Sequence, residues 1–283
     1  MADKDVIVLG ACGMLGRDLM EELRKCGYDA RGFDLPELDI CDEDALKRVI
    51  QPESLIINCA AYTNVEKAES EPELAYKVNA EAVARLGKIA ADMKSRVIHI
   101  STDFVFNGKS ETPYTEDDEP DPVNVYGASK LEGEKLLKQS GCEHLIMRVQ
   151  WTYGRHGSNF ITKLLELAKT RDRLKVVDDQ KGSPTSTIEA VKTICKLITL
   201  DRFPKGIFHF AALGYASRFE VARFIFVHAG SNVEIEPCDS SEFPTAAQRP
   251  LNSCFDCGKL TALVGEPARS WQEPLAEFID SIV

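Results

Sequence analysis

A four-residue apolar run, Val6–Leu9, feeds directly into Gly10-Ala11-Cys12-Gly13-Met14-Leu15-Gly16, and a helical pattern follows at about 14–26. Strand, glycine turn and helix in that order constrain the chain more than any other feature. The glycines permit a tight turn and close backbone approach of a pyrophosphate, and the amides opening the helix aim at phosphate charge. The spacing is GxxGxxG rather than the better-known GxGxxG. Eighteen residues beyond Gly16, Asp34 ends the next apolar run. A carboxylate there can accept hydrogen bonds from an adenosine ribose and would repel a 2′-phosphate.

The pattern continues through the first half. Apolar runs at Ala30–Phe33, Leu55–Ile57, Val97–Ile100 and Leu145–Val149 alternate with helical patterns at 42–51, 73–93 and 126–140. Asp42 reads as an N-cap, and Gly27 and Gly141 as helix stops. Such alternation predicts an α/β fold, a doubly wound parallel sheet over residues 1–150. Past Trp151 it loosens into helical stretches near 159–169, 187–199, 217–229 and 270–282, a loop at 178–185 and a strand-like Gly206–Phe210. The loop 113–124 has three prolines around Glu116-Asp117-Asp118-Glu119 and reads as a solvated connection.

At 283 residues and 44% hydrophobic the chain can bury a large core. Its net charge of −11 would repel a polyanion, so neither nucleic acid nor an anionic membrane is an expected partner, and an anionic ligand needs local cations. No apolar run approaches the roughly 20 residues of a membrane span, and Met1–Asp5 does not open a signal peptide. A cytoplasmic protein is expected. Nine scattered cysteines, an odd number, read as reduced thiols. The one CxxC, Cys254-Phe255-Asp256-Cys257, has no second Cys/His pair at metal-binding spacing, and no metal is expected.

Chemistry concentrates at the carboxyl ends of the expected strands. Asn58-Cys59-Ala60-Ala61-Tyr62-Thr63 offers small residues on which a flat ring system can lie, and Ser101-Thr102-Asp103 places hydroxyls and a carboxylate at the same edge. Tyr126 and Lys130 stand four apart on one helix face. An ammonium beside a phenol lowers the phenol from its usual pKa of about 10, which suits a proton donor near neutral pH. Hydroxyl, phenol and ammonium can then converge on one carbonyl.

These segments together resemble the extended short-chain dehydrogenase/reductase family, and more narrowly the dTDP-4-dehydrorhamnose reductases. The segments are GACGMLG at 10–16, NCAAYTNVEKAE at 58–69, STDFVFNG at 101–108, NVYGASKLEGE at 124–134, RVQWTYG at 148–154, NF at 159–160, DQKGSPT at 179–185 and RPLNS at 249–253. The resemblance implies Tyr126 as proton donor, Lys130 as holder of the nicotinamide ribose and Thr102 as the hydroxyl at the sugar carbonyl. It implies cofactor contacts at Gly10, Gly13, Met14, Leu15, Gly16, Asp34, Asp39, Ile40, Ala61, Tyr62 and Thr63. Substrate contacts fall on Thr102, Asp103, Trp151 and Val65, and Arg249 is the candidate for a substrate phosphate.

The resemblance further implies a cofactor domain, residues 1–150, completed by about 186–212, and a smaller substrate domain of 151–185 and 213–283. The implied activity is reduction, by NADH or NADPH, of the C4 keto group of a nucleotide sugar, with a homodimer among the expectations. The alternatives are a dinucleotide-binding regulatory subunit, like the β subunit of methionine adenosyltransferase, and a sugar-nucleotide epimerase. The sequence departs from the family at Met14, often Gln, Phe104, usually Tyr, and Gln150, usually a small Ser, the last expected to alter substrate preference. Ile188 falls near a position where some members hold magnesium through acidic residues, again predicting no metal here.

Overall fold

In the computed structural model, which describes residues 5–283, six parallel strands form one sheet. Their spatial order is Gly206–Phe210, Glu143–Val149, Arg96–Thr102, Leu55–Asn58, Val6–Leu9, Ala30–Phe33. Residues Met1–Lys4, part of the segment read against a signal peptide, lie outside the described residues. Strand order reverses between Val6–Leu9 and Leu55–Asn58, and crevices at such switch points are where open α/β sheets bind ligands.

Both faces of the sheet are covered. Val6, Val8, Leu55 and Ile57 point to one side and pack with Ala190, Val191 and Ile194 of the helix Thr187–Ile198. Ile7, Leu9 and Ile56 point to the other and meet Leu46, Val83, Leu86 and Leu137. Strands buried on both faces must be apolar without alternation, which is why these runs were legible. Asp42 caps the helix Glu43–Val49 by accepting from Ala45 N at 3.0 Å, a contact worth about 1 kcal/mol. Gly27 and Gly141 end the preceding helices with φ of 82°, a conformation that penalises any side chain.

The helix expected at 73–93 is instead two α segments, Pro72–Tyr76 and Ala82–Asp92, joined by a π turn at Lys77–Glu81. The extra residue in that turn frees Asn79 for tertiary work. Its side chain bonds Tyr62 N at 2.8 Å, Tyr62 O at 3.1 Å and Ser129 Oγ at 3.0 Å. Its carbonyl presses on Gly133, where a Cβ would collide with it.

A second core gathers Tyr153, Ile161, Leu174, Phe226, Trp271 and Phe278 from the chain after Trp151. It includes a two-strand parallel ladder, Arg173–Val177 with Glu234–Cys238, that the pattern did not announce. Pro237 and two exposed glutamates make the second strand unreadable as one. Short helices at Val65–Ser70 and Gly258–Val264 were also missed.

The 113–124 loop is less solvated than its composition suggests. Its acidic middle is exposed, but Tyr114 is buried, stacked on Phe106 at 4.2 Å, and exchanges backbone bonds with Cys254 and Asp256. Glu116 accepts from His209 N at 2.8 Å. The loop thus ties the last segment to the sheet. No helix among the described residues is long and apolar enough to cross a membrane.

Candidate active site

A cleft of about 630 Å³ opens at the carboxyl edge of the sheet over the switch point. The glycine turn forms one wall. Gly10 takes φ +77° with no room for a side chain, since a Cβ would lie 2.6 Å from Ala60 N. A Cβ on Gly16 would strike the Gly10 carbonyl. The turn is therefore closed against its neighbours and presents backbone to the cleft. Such a cradle suits a dinucleotide pyrophosphate, as the sequence pattern proposed.

Asp34 lines the same end, and it braces the turn: Oδ2 accepts from Cys12 N and Oδ1 from Leu35 N, both at 2.8 Å. Asp39, which accepts from Cys41 N at 2.8 Å, and Ile40 continue the wall. Gly13, Met14, Leu15, Ala61 and Thr63 also line the cleft, while Val65, Thr102, Asp103, Tyr126, Lys130 and Trp151 line its other end.

Two expected contacts do not. The Tyr62 phenol turns away and donates to Glu71 at 2.6 Å, while Asn79 holds the Tyr62 backbone. Arg249 sits outside the cleft lining, ion-paired to Glu66 at 2.5 Å and donating to Thr245 at 2.9 Å. Gln150 is no cleft residue either: it is buried, with Oε1 accepting from Ser183 N at 2.7 Å.

The helix Val125–Gln139 carries Tyr126 and Lys130 to the end of Arg96–Thr102. Asn124 caps it, accepting from Gly127 N and donating to Gln248 O, each at 2.8 Å. Gly127 lets it seat against the Phe104 carbonyl, where a Cβ would clash. Phe104 then meets the Tyr126 ring edge-on at 5.6 Å.

Of the two adjacent hydroxyls only one serves the phenol. Ser101 points beneath the sheet edge and donates to Glu134 at 2.5 Å. Thr102 lies beside the Tyr126 hydroxyl and also donates to Asp103 Oδ1 at 3.0 Å.

The expected lowering of Tyr126 by Lys130 is not what this geometry produces. Burial pushes the phenol up to about 12, the Thr102 hydroxyl opposes this, and the Asp103 carboxylate adds to it. Lys130 Nζ instead donates to Ile100 O at 2.7 Å and faces His99 Nε2 at 3.3 Å. Hydrogen-bond logic assigns the tautomer. Asn58 Oδ1 accepts from Ala60 N at 3.1 Å, which aims Nδ2 at His99 Nδ1, so the ring proton sits on Nε2, facing the lysine. A donor facing an amine favours the neutral form. Burial acts the same way and pulls Lys130 down to about 8, against Glu134.

Beneath the site lies a buried ionic network the sequence did not disclose. Arg148 grips Glu134 bidentately at 2.6 and 2.9 Å, and its Nη1 is 3.4 Å from His209 Nε2. Such a pair in a dry core fixes the relative position of helix and strand. Asp103 is buried too, raised to about 6 by desolvation against the Ser253 and Thr102 hydroxyls and Arg218. Among the described residues its Oδ2 accepts no hydrogen bond.

Arg218 is the site residue that sequence reasoning missed. It opens the helix Arg218–His228 and lines the cleft with its guanidinium 3.5 Å from the Trp151 ring centroid. Only an unremarkable Ser-Arg-Phe-Glu announces it. Cys254 and Cys257 lie elsewhere, their thiols held protonated by burial at about 11 and about 12.

The family model described as RmlD substrate binding domain matches residues 4–283. A dTDP-4-dehydrorhamnose reductase of Mycolicibacterium smegmatis is 38% identical over 281 residues, 98% of this chain and 86% of the relative. One of Sinorhizobium fredii is 42% identical over 80% of this chain and 79% of its own. The crystal structure of the Bacillus anthracis dTDP-4-dehydrorhamnose reductase in complex with NADP superposes with a TM-score of 0.93 at 38% identity, covering 99% of both chains. The chain belongs to this family, that of the dTDP-4-dehydrorhamnose reductases.

Proposed function

We propose that this protein reduces the C4 keto group of a nucleotide sugar, dTDP-4-dehydro-β-L-rhamnose to dTDP-L-rhamnose, with NADH or NADPH. The observation that carries the reading is the shared cleft. A glycine turn shaped to take a phosphate and the Asp34 carboxylate stand at one end, and a half-buried phenol with a hydroxyl partner at the other. In this reading residues 1–150 with about 186–212 hold the dinucleotide, and 151–185 with 213–283 hold the sugar.

When bound, the nicotinamide supplies a hydride to the sugar carbonyl carbon. Tyr126 donates its hydroxyl proton to the carbonyl oxygen as negative charge develops there. A phenol raised by burial holds that proton until an oxyanion demands it, and positioned general-acid transfer contributes about 10²–10⁴-fold. Thr102, whose own proton goes to Asp103, positions the Tyr126 hydroxyl, while Lys130, anchored on the Ile100 carbonyl, meets the nicotinamide ribose. Gly10, Gly13, Met14, Leu15 and Gly16 cradle the pyrophosphate; Asp39, Ile40, Ala61 and Thr63 flank the remaining cofactor. Val65, Asp103 and Trp151 bound the sugar. The partner is this small molecule rather than nucleic acid, and the reading extends to a cytoplasmic homodimer, tested by fractionation and light scattering.

The test is absorbance at 340 nm with dTDP-4-dehydrorhamnose and each reduced cofactor. Stoichiometric NADH or NADPH oxidation is expected. Cofactor binding without oxidation would point to a regulatory subunit, and sugar conversion without added cofactor to an epimerase.

A further inference from the structure

We propose that Arg218 is the anion anchor of the substrate end of the cleft, gripping the diphosphate of the nucleotide sugar from a fixed seat on Trp151. This rests on the reading of the substrate as a nucleotide sugar.

The seat is built from both sides. Trp151, two residues past the strand Glu143–Val149, takes φ +43°, an unusual backbone for a large side chain, and its ring lies over Gly182, where a Cβ would approach Cε2 to 2.6 Å. The guanidinium covers the ring at 3.5 Å and faces Phe160 at 5.0 Å. Arginine stacks on indole through its planar, weakly hydrated face and keeps its in-plane N–H groups free for a ligand. Arg218 lines the main cleft and a smaller cavity beside Trp151 and Phe160. Among the described residues its N–H groups meet no acceptor, and no carboxylate stands at ion-pair distance; Asp103 attracts Arg218 from farther off.

A half-buried cation without a counter-ion is costly, and it is retained where a ligand supplies the counter-charge. Two further observations raise that cost. The Arg249 guanidinium is close enough to repel Arg218, and Arg218 occupies the first turn of its helix, where the macrodipole disfavours a cation. Burial lowers Arg218 to about 9, which still leaves it charged at neutral pH.

Diphosphate is the anion the geometry suits. With the C4 carbonyl at Tyr126, the diphosphate on the anomeric carbon extends across the pyranose ring within the substrate end of the cleft, whose lining includes Arg218 and Trp151. Lys130 and His156 are the other bases in the lining. Lys130 is committed to Ile100 and His99, and His156 stands beside Asp18 at 3.6 Å near the glycine turn. The planar fork of arginine matches phosphate oxygens bidentately. Trp151 in this chain thus serves as platform for a cation and meets the sugar by its edge.

The experiment is calorimetric titration of the full chain with dTDP, UDP and the phosphate-free nucleoside thymidine, alongside NADPH, for the parent, Arg218→Gln and Arg218→Lys. A charge-assisted hydrogen bond is worth about 1.5–3 kcal/mol, so Arg218→Gln should weaken diphosphate binding by roughly 10- to 150-fold. Thymidine and NADPH binding should not change, and Arg218→Lys should recover part of the loss. Undiminished diphosphate binding by Arg218→Gln would overturn the proposal, as would equal losses of thymidine and diphosphate, or no diphosphate binding by the parent. Arg218-dependent diphosphate binding in a protein that oxidises no cofactor with a 4-keto sugar would sink the catalytic reading and leave this one standing.

Discussion

Lys130 Nζ lies 2.7 Å from the Ile100 carbonyl oxygen and faces the His99 ring, not the Tyr126 phenol four residues before it. The lysine is 2% exposed and lowered to about 8 from 10.5. Between those values the unfolded chain binds the extra proton, so stability rises with pH across this window, and the cost of burying the cation is fully present below it. Urea titrations from pH 8 to 10 should give a steeper rise for the parent than for Lys130→Met, by up to about 1.4 kcal/mol per pH unit. Parallel curves would place the lysine charge elsewhere.

Tyr126→Phe removes the proton donor and leaves the ring that Phe104 contacts. Turnover should fall by about 10²–10⁴-fold while dinucleotide affinity stays within about twofold. Retained turnover at 340 nm would exclude the phenol as the acid.

Asp103 is raised to about 6 from 3.8, mainly by burial. The folded protein therefore holds the proton more tightly over that window, stability falls as pH rises through it, and the penalty is complete above pH 6. Asp103→Asn should be more stable than the parent at pH 7, by an amount on the order of 2 kcal/mol, and no more stable at pH 3.5. Its KM for the sugar should rise.

Glu134 and Arg148 each have side chains only 1% exposed. Glu134→Ala leaves a buried guanidinium without its carboxylate and should cost about 3–5 kcal/mol in urea unfolding. The double variant Glu134→Leu/Arg148→Met should recover much of that loss, since the charge is removed with its partner.

Asp34 opposes a 2′-phosphate with one negative charge. In Asp34→Asn the ratio of KM for NADPH to KM for NADH should fall by roughly fivefold, the worth of about 1 kcal/mol between unit charges near 4 Å in water. An unchanged ratio would mean that the carboxylate only braces Cys12 N.

The sheet strands, the glycine turn and the Tyr126 helix were readable because each is governed by neighbours in the chain. Burial on both faces demands unbroken apolar runs such as Val6–Leu9, and a helix brings Tyr126 and Lys130 to one side whatever surrounds them. The motifs that carry the family resemblance are equally local. Side-chain direction at the strand ends is not. Glu71 takes the Tyr62 hydroxyl, and Asn79, reaching out of a π turn, holds the Tyr62 backbone. Glu66 takes Arg249, and Asn58 and Ala60 settle which nitrogen of His99 carries the proton. Arg218 reaches the cleft because Trp151 and Gly182 shape a seat for it. The sequence by itself determined the fold class, the cofactor turn and the candidate proton donor. Only the tertiary structure decided which charges face the cleft and how far burial moves them, because desolvation and ion pairing depend on groups that meet in space after long separations in the chain.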